Sequence, residues 1–599
     1  AAVKGKIVPT AIYYNGTVVT VDEGMNYAEA VAVAGDKILA VGNNRNILQM
    51  RVRSTKLIDL QKKTMLPGFY DAHGHFGGGG WRSVQLGSGP FGPVNDFPAM
   101  VAALKARAKT TPKGQTINGT GFCDLFMKEK RLPTRLELDQ ASTEHPIIIS
   151  HFSGHGSVAN TYALDLTPVD YNGTVTPDPA GGVIGRFPAG TIINGVDYSG
   201  KANGQFLERA SSYLRKRDGT PWSPPSTQKN QLEDIAYYSN QYASVGATTV
   251  NSGGGASQST VDLYKLAVEK GYLKLRANIW FGLAGGIKVH DALGGDVPGQ
   301  SRKLPKYTGK NNMIVCGGIK YFDDGSPQLR TAYMTDPYYT TGEYPTDWRA
   351  FPTTKHDDIV KAVVDAHNAG FDSIHIHDNG DAAIDDVLDA YAEVRKPGYR
   401  HSNDLRHVLI HCQFSREDQF DRALSMGGVI PSFLSMHIYY LGDFHWDTFF
   451  GPERSARMSA AKDAVDRGMI WTSHCDSQVF PHNPLTLMWA QVNRKSFYEK
   501  DAFTTEYKTG TKYRSVDQRV SAEEALRAVT INAAYQEFEE KVTGSIETGK
   551  RADFVLLAED PLAVDPMHIK DIKVLETIVG AKTVFKAKGK WDPKRKVLR

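Results

Sequence analysis

The segment IVKAVVDAHNAGFDSIHIH, residues 359–377, holds the repeating unit of the chain. Ile359, Val360, Val363 and Val364 recur with the spacing of one helix face. Gly370 follows, and glycine suits the left-handed position that closes a helix. Ser373-Ile374-His375-Ile376-His377 is then a short strand ending on a polar residue. The same unit recurs on both sides. Leu232, Ile235, Ala236 and Tyr242 run to Gly246, before Thr248-Thr249-Val250. Leu263, Leu266 and Ala267 run to Gly271, before Leu275 to Trp280. Ile384, Val387, Leu388 and Tyr391 precede His407-Val408-Leu409-Ile410-His411. Phe420, Ala423 and Leu424 run to Gly427, before Gly428-Val429-Ile430. Met458, Ala461 and Val465 run to Gly468, before Met469 to Thr472. Helices alternating with strands imply parallel strands joined by helical crossovers. Strands fall near 66–72, 247–252, 275–282, 317–322, 373–377, 407–411, 428–434 and 470–475. Eight is the number that closes a (β/α)8 TIM barrel, whose chemistry sits where the strands end.

The chain ends differ from this centre. Between residues 6 and 60, Asn15-Gly16 and Gly35-Asp36 separate β-rich runs, the pattern of hairpins. Asp553 to Leu557, Val574 to Val579 and Lys582 to Phe585 are short strands of the same kind. Neither small segment can bury a core alone. The expectation is an α/β protein: residues 1–65 and 541–599 form one composite β-sandwich, and 66–540 form the barrel. The interval of about 76–230 is too long for one crossover and must hold an insertion, expected to shape the substrate pocket.

Composition removes several classes. The 599 residues are 41% hydrophobic and 23% charged, values of a globular chain. A formal net charge of +4 gives no argument for nucleic acid or a membrane surface. No window approaches the ~18 apolar residues of a membrane span. The four cysteines, Cys123, Cys316, Cys412 and Cys475, include no C-x-x-C pair and make no disulfide framework. The Ala-Ala-Val-Lys start fits either a trimmed cytoplasmic chain or the processed end of a periplasmic or secreted one.

Polar residues with metal-ligating chemistry stand at the strand ends. Strand one runs into Asp71-Ala72-His73-Gly74-His75, where alternation points His73 and His75 the same way. Lys320 ends strand four, His377 strand five, His411 strand six and Asp476 strand eight. Imidazole and carboxylate suit zinc and similar divalent ions. Any one of these could be an ordinary polar residue of a barrel mouth, but their placement on one rim favours a metal site. His155, in the insertion, is either a donor to a substrate carbonyl or a hydrogen-bonded loop residue. Asp324 and Ser326 either line the pocket or make a turn. His437, Tyr439 and Tyr440 either wall the site or pack. Cys412 and Cys475 flank ligands but face away, as buried apolar residues.

The run Leu66-Pro67-Gly68-Phe69-Tyr70-Asp71-Ala72-His73-Gly74-His75 resembles the first signature of the amidohydrolase superfamily. Ser153-Gly154-His155 with Asn160, Lys320 to Ser326, His377 to Asp381, and Arg406 to Gln413 resemble its YtcJ-like branch, amidohydrolase family 3. Gly544 to Phe554 resembles the return strand of the family's sandwich. The likeness covers nearly the whole chain. Ile410, Cys412, Asn379 and Ala382 depart from it without touching the ligands.

The resemblance implies a metal-dependent hydrolase cleaving a carbon–nitrogen bond of amide, N-acyl type by a metal-bound hydroxide. His73, His75 and Asp476 would bind one ion, and His377 and His411 a second. Lys320, carbamylated by carbon dioxide, would bridge them. The charge argument agrees: an ammonium would be repelled by the cations, and a carbamate would offset them. The alternative is an amine paired with Asp323 or Asp324. Asp476 would move the proton and His155 would steady the oxyanion. Asp324, Ser326, His437 and Tyr439 would touch substrate. The rivals are a single-metal esterase, lactonase or deaminase on the same fold, and a non-catalytic regulatory or binding protein. The expected partner is a small-molecule substrate, not nucleic acid or membrane, and a homo-oligomer is compatible with the chain.

Overall fold

Eight parallel strands lie side by side in chain order. They are β1 (Phe69–Tyr70), β2 (Ala247–Ala256), β3 (Arg276–Phe281), β4 (Ile314–Phe322), β5 (Ile374–Asp378), β6 (His407–His411), β7 (Val429–Phe433) and β8 (Thr472–Ser473). This computed structural model describes residues 7–172, 176–342, 344–498 and 517–589, and the backbone of 591–592 and 597–598. Helices fill the crossovers, among them Gln228–Ser244, Gln258–Glu269, His356–Asn368 and Asp381–Glu393. In His356–Asn368 the buried side chains include Ile359, Val363 and Ala366, and Gly370 follows at φ 96°. The periodicity at residues 359–377 thus has its expected physical cause. The result is a curled, TIM-barrel-like α/β sheet.

Two expectations need correction. The run 66–72 is not one strand. Thr64–Pro67 belongs to a sheet at the chain ends and only Phe69–Tyr70 to the barrel. Gly68 makes the switch, where a Cβ would lie 2.1 Å from Thr248. Nor do β1 and β8 share a ladder among the described pairings. Both are two residues long, and a side chain spans the gap between them. Gln536 Nε2 donates to Ala72 O at 2.8 Å, and Gln536 Oε1 accepts from Thr472 Oγ1 at 2.7 Å.

The two chain ends do meet. Phe554–Leu557 pairs antiparallel with Thr64–Pro67, inside a six-stranded sheet that also holds Val574–Val579 and Thr17–Val19. A second sheet of four strands holds Ala11–Tyr14 and Ala30–Ala34. Tyr13, Val33, Met65, Phe554 and Ile578, drawn from both sheets, share one apolar cluster. Of the expected terminal segments, residues 1–6, 590, 593–596 and 599 lie outside the described residues. The insertion carries its own six-stranded sheet, including Ile117–Phe122, Ile147–His151, Gly156–Ala159 and Ala202–Glu208. It has its own apolar clusters, one around Phe122 and Ile149 and one around Phe206.

Candidate metal centre

The C-terminal ends of β1, β5, β6 and β8 bring five predicted ligands together. His73 Nε2 and His75 Nε2 lie 3.4 and 3.1 Å from Asp476 Oδ1. His411 Nε2 lies 3.9 Å from Asp476 Oδ2 and 2.9 Å from His377 Nδ1. One ligand atom each from His73, His411 and Asp476 falls within 4.8 Å of the others. The backbone bends hard to achieve this. His411, Cys412 and Asp476 have φ of 80°, 46° and 52°, a region that side-chain-bearing residues rarely enter. Such outliers are held only where surrounding packing fixes them, and they gather at functional sites.

Neighbours orient the rings. Gly325 O can only accept, so His377 Nε2, 3.0 Å away, carries the hydrogen and Nδ1 is left as a lone pair facing His411. His411 Nδ1 meets His474 Nε2 at 3.0 Å, and His474 Nδ1 meets Ser432 Oγ at 2.9 Å. Hydrogen bonds of this kind fix the tautomer of ligating histidines. Burial pushes His73 down to about 4 and His377, His411 and His474 well below the usual imidazole range, so they stay neutral and able to ligate. Burial opposes charge on Asp476, yet His73 and His75 hold it well below the ordinary carboxylate range.

The donor set fits a cation. His73 Nε2, Asp476 Oδ1 and Lys320 Nζ are all buried without a hydrogen-bond partner, and buried polar groups normally have one. Lys320 stands in β4 with Nζ 4.3 Å from the Phe322 ring. It forms no ion pair with Asp323 or Asp324 among the described residues, so the paired-amine alternative is not what the fold builds. Burial pushes it down to about 7, against the opposing pull of Asp476 and Asp378.

His155 reaches the centre from the insertion. Its ring centroid is 5.1 Å from that of His377, and its Nδ1 is 2.8 Å from Glu208 Oε2. Burial disfavours its charge, but Glu208 outweighs this and raises its pKa. His155, Glu208, Arg209, Lys320 and Asp324 line one cavity of about 440 Å³. Asp324 accepts from the backbone N–H groups of Tyr333, Asn379 and Gly380. Ser326 begins a short turn, its N–H donating to Thr331 Oγ1 at 2.9 Å. His437 is buried 5.4 Å from the Phe480 ring with both nitrogens unpartnered. Tyr439 packs on Tyr440, Trp489 and Phe497. Cys412 and Cys475 are buried.

Three features escaped the sequence reading. Glu208 is 53 residues from His155, and no spacing rule links them. His474 could have been found, because it shares the alternation that places Asp476. The third is the run Gly253-Gly254-Gly255 near the end of β2, since three glycines at a strand end signal a close approach. A Cβ on Gly253 would lie 2.7 Å from His73 Cε1, and one on Gly254 would lie 2.8 Å from Lys320 Cγ. A second donor group, Cys123, Asp124 and His151, lies in the insertion. Its imidazole is already occupied by Ser153 Oγ at 2.8 Å and Asp124 Oδ1 at 3.2 Å.

Comparison with known proteins gives a consistent picture. Residues 56–585 match the model of the Amidohydrolase family. The N-substituted formamide deformylase of Arthrobacter pascens is 27% identical, over 94% of this chain and 96% of that protein. The Bacillus subtilis (strain 168) protein YtcJ is 25% identical, over 96% and 99%. An uncharacterized metal-dependent hydrolase from Pyrococcus horikoshii shares the fold, with a TM-score of 0.64 and 21% identity over 93% of this chain and 99% of that one.

Proposed function

The chain belongs to the amidohydrolase family, in its YtcJ-like branch, and is a hydrolytic enzyme; from that premise we propose that it uses a divalent metal to cleave a carbon–nitrogen bond of amide, N-acyl type. The observation that carries this reading is the set of orphaned buried donors, His73 Nε2, Asp476 Oδ1 and Lys320 Nζ, at converging strand ends. His73, His75, His377, His411, Asp476 and a carbamylated Lys320 would hold one or two ions, with zinc suited to the donors. When bound, such an ion polarises a carbonyl and acidifies water. Asp476 accepts a proton from the attacking water and returns it to the nitrogen as the C–N bond breaks. His155, its Nδ1–H donating to Glu208, which favours the protonated form, would when protonated offer Nε2–H to the carbonyl oxygen as negative charge develops there. The deformylase of Arthrobacter pascens, by its name, works on the same class of bond, and its similarity along nearly its full length supports the assignment. The same reading takes the two end sheets as the faces of one β-sandwich beside the TIM-barrel-like sheet.

The compact trio of His73, His411 and Asp476 favours a second reading, one ion and ester, lactone or deaminating hydrolysis. Elemental analysis of the purified protein, with a panel of N-acyl, ester and amino-heterocycle substrates, separates the two. The expected result is one to two equivalents of metal with turnover of an N-acyl compound. His73→Ala should lose metal and at least on the order of 100-fold of activity while its circular dichroism is unchanged. Full activity in metal-free His73→Ala would end the proposal.

A further inference from the structure

Beside the metal centre is a cavity of about 610 Å³ that the chemistry above does not use. Its wall includes Ser477 and Gln478, the residues directly after Asp476, and Ser477 O accepts from the N–H of His75. The cavity and the ligand loop therefore share one stretch of backbone. Eight aromatic side chains stand in its lining, contributed by the insertion, the helix Gln228–Ser244, the loop after β7 and the loop after β8. Phe91 stacks on Phe152 with centroids 5.6 Å apart and lies 4.8 Å from Tyr440. Tyr440 and Phe480 are parallel within 1° at 5.4 Å. Trp81 stacks on Tyr237 at the opposite side.

The second observation is electrical. No Asp, Glu, Lys or Arg is among the described residues lining this cavity, and its polar groups are amides, hydroxyls and one imidazole. That imidazole, His482, lies flat against Tyr242 at 4.2 Å; both its nitrogens are buried without a hydrogen bond, and Nδ1 lies 3.7 Å from Asp71 Oδ1 behind the wall. Burial pushes it down to about 3, so it is neutral. The cavity on the Lys320 side is the opposite, with His155, Glu208, Arg209 and Asp324 in its wall. A charged group entering the aromatic cavity would lose its hydration and meet no charged side chain in the lining, since Arg82 lies behind Trp81 and Asp71 behind His482. A flat neutral ring would find offset and edge-on partners on several sides.

We propose that this cavity is the substrate's substituent pocket and that it selects an uncharged aromatic group carried a short distance from the scissile bond. The inference rests on the hydrolase reading for the placement of that bond, but ring recognition is testable without turnover. Three probes of one scaffold suffice: N-benzylacetamide, N-pentylacetamide and N-(4-carboxybenzyl)acetamide, titrated into the metal-loaded protein by calorimetry. The benzyl probe should bind about fivefold or more tighter than the pentyl probe, the scale of one to two aromatic contacts. The carboxylate probe should bind at least about tenfold more weakly than the benzyl probe. Phe91→Leu and Phe480→Leu keep apolar volume and remove one ring each, and either should bring the benzyl and pentyl affinities together. Equal binding of benzyl and pentyl probes by the wild type, a preference for the carboxylate probe, or an unchanged benzyl preference in both folded variants would overturn the proposal. Because the readout is heat of binding, a protein that binds the benzyl probe tightly yet hydrolyses no amide would sink the hydrolase reading and leave the pocket standing.

Discussion

Lys320 concentrates the chemistry of the site in one side chain. It is buried, unpartnered, and pushed by burial down to about 7. At neutral pH and above, much of it is therefore free amine, the form that adds carbon dioxide. If two divalent ions are held here, Asp476 is the one carboxylate among the ligands and the histidines are neutral, so an anionic carbamate at Lys320 would relieve the excess positive charge. The expected outcome is a carbamate carbon signal after incubation with 13C-bicarbonate and metal. Lys320→Ala should lose about 10²- to 10³-fold in turnover, with partial recovery in a short carboxylic acid. Lys320→Arg should show no such recovery, since guanidinium neither takes up carbon dioxide nor ligates. A fully metallated, active enzyme without the carbon signal would rule out the bridge. The proposed ligands were legible in the sequence because short apolar runs lead into His73, His377, His411 and Asp476, and Lys320 stands near the end of β4. Glu208 was not, because a carboxylate that serves another residue's side chain leaves no periodic trace.

At the scale of the element, the end of β2 decides whether the ligands can converge. Gly253 sits where a Cβ would be 2.7 Å from His73 Cε1 and 2.5 Å from Gly74 O. Real Cβ atoms do not tolerate such distances, so Gly253→Ala must move either the β1 loop or β2. β2 is held on both edges by β1 and β3, so the loop carrying His73 and His75 yields first. The variant should fold, bind metal at least about tenfold more weakly, and lose activity in proportion, as read by competition with a chelator. Wild-type metal affinity in Gly253→Ala would contradict this geometry. The strands themselves were readable from helix–glycine–strand spacing, and β5 and β6 fall within a residue of expectation. What spacing cannot reveal is pairing across long separations. The division of residues 64–70 between two sheets depends on Phe554 arriving opposite Pro67, nearly five hundred residues later. Apart from the Ser153-Gly154-His155 motif, the insertion was legible only as excess length, since much of its apolar surface is buried in clusters of its own.

Across the whole molecule, one buried ion pair ties the terminal sheet to the barrel. Arg276 of β3 grips Asp553 with two bonds, Nε to Oδ2 at 2.7 Å and Nη2 to Oδ1 at 3.1 Å, and Gly580 N–H adds a third at 2.7 Å. Both side chains are at most 2% exposed. Burial alone would disfavour the Asp553 carboxylate, but Arg276 outweighs it and depresses the pKa. Arg276→Met leaves that carboxylate buried without its partner and should cost about 3–5 kcal/mol in denaturant unfolding. Arg276→Met with Asp553→Leu removes both charges and should recover much of the loss, because a well-packed apolar pair can match a buried ion pair. The pH dependence follows from the direction of the shift. A group whose folded pKa lies below its unfolded value stabilises fully above the ordinary carboxylate range, near 3.9, and that contribution fades as pH falls through the folded value. Wild-type stability should therefore decline below about pH 4 more steeply than that of the double variant. Parallel acid profiles would show that Asp553 does not couple the two parts. Because the proposed ligands beyond the ends of β1 and β8 hang from strands only two residues long, release of the terminal sheet from β3 should also loosen the candidate metal centre. Arg276→Met, which touches no ligand, should lose metal to a chelator faster than the wild type at a pH where both remain folded.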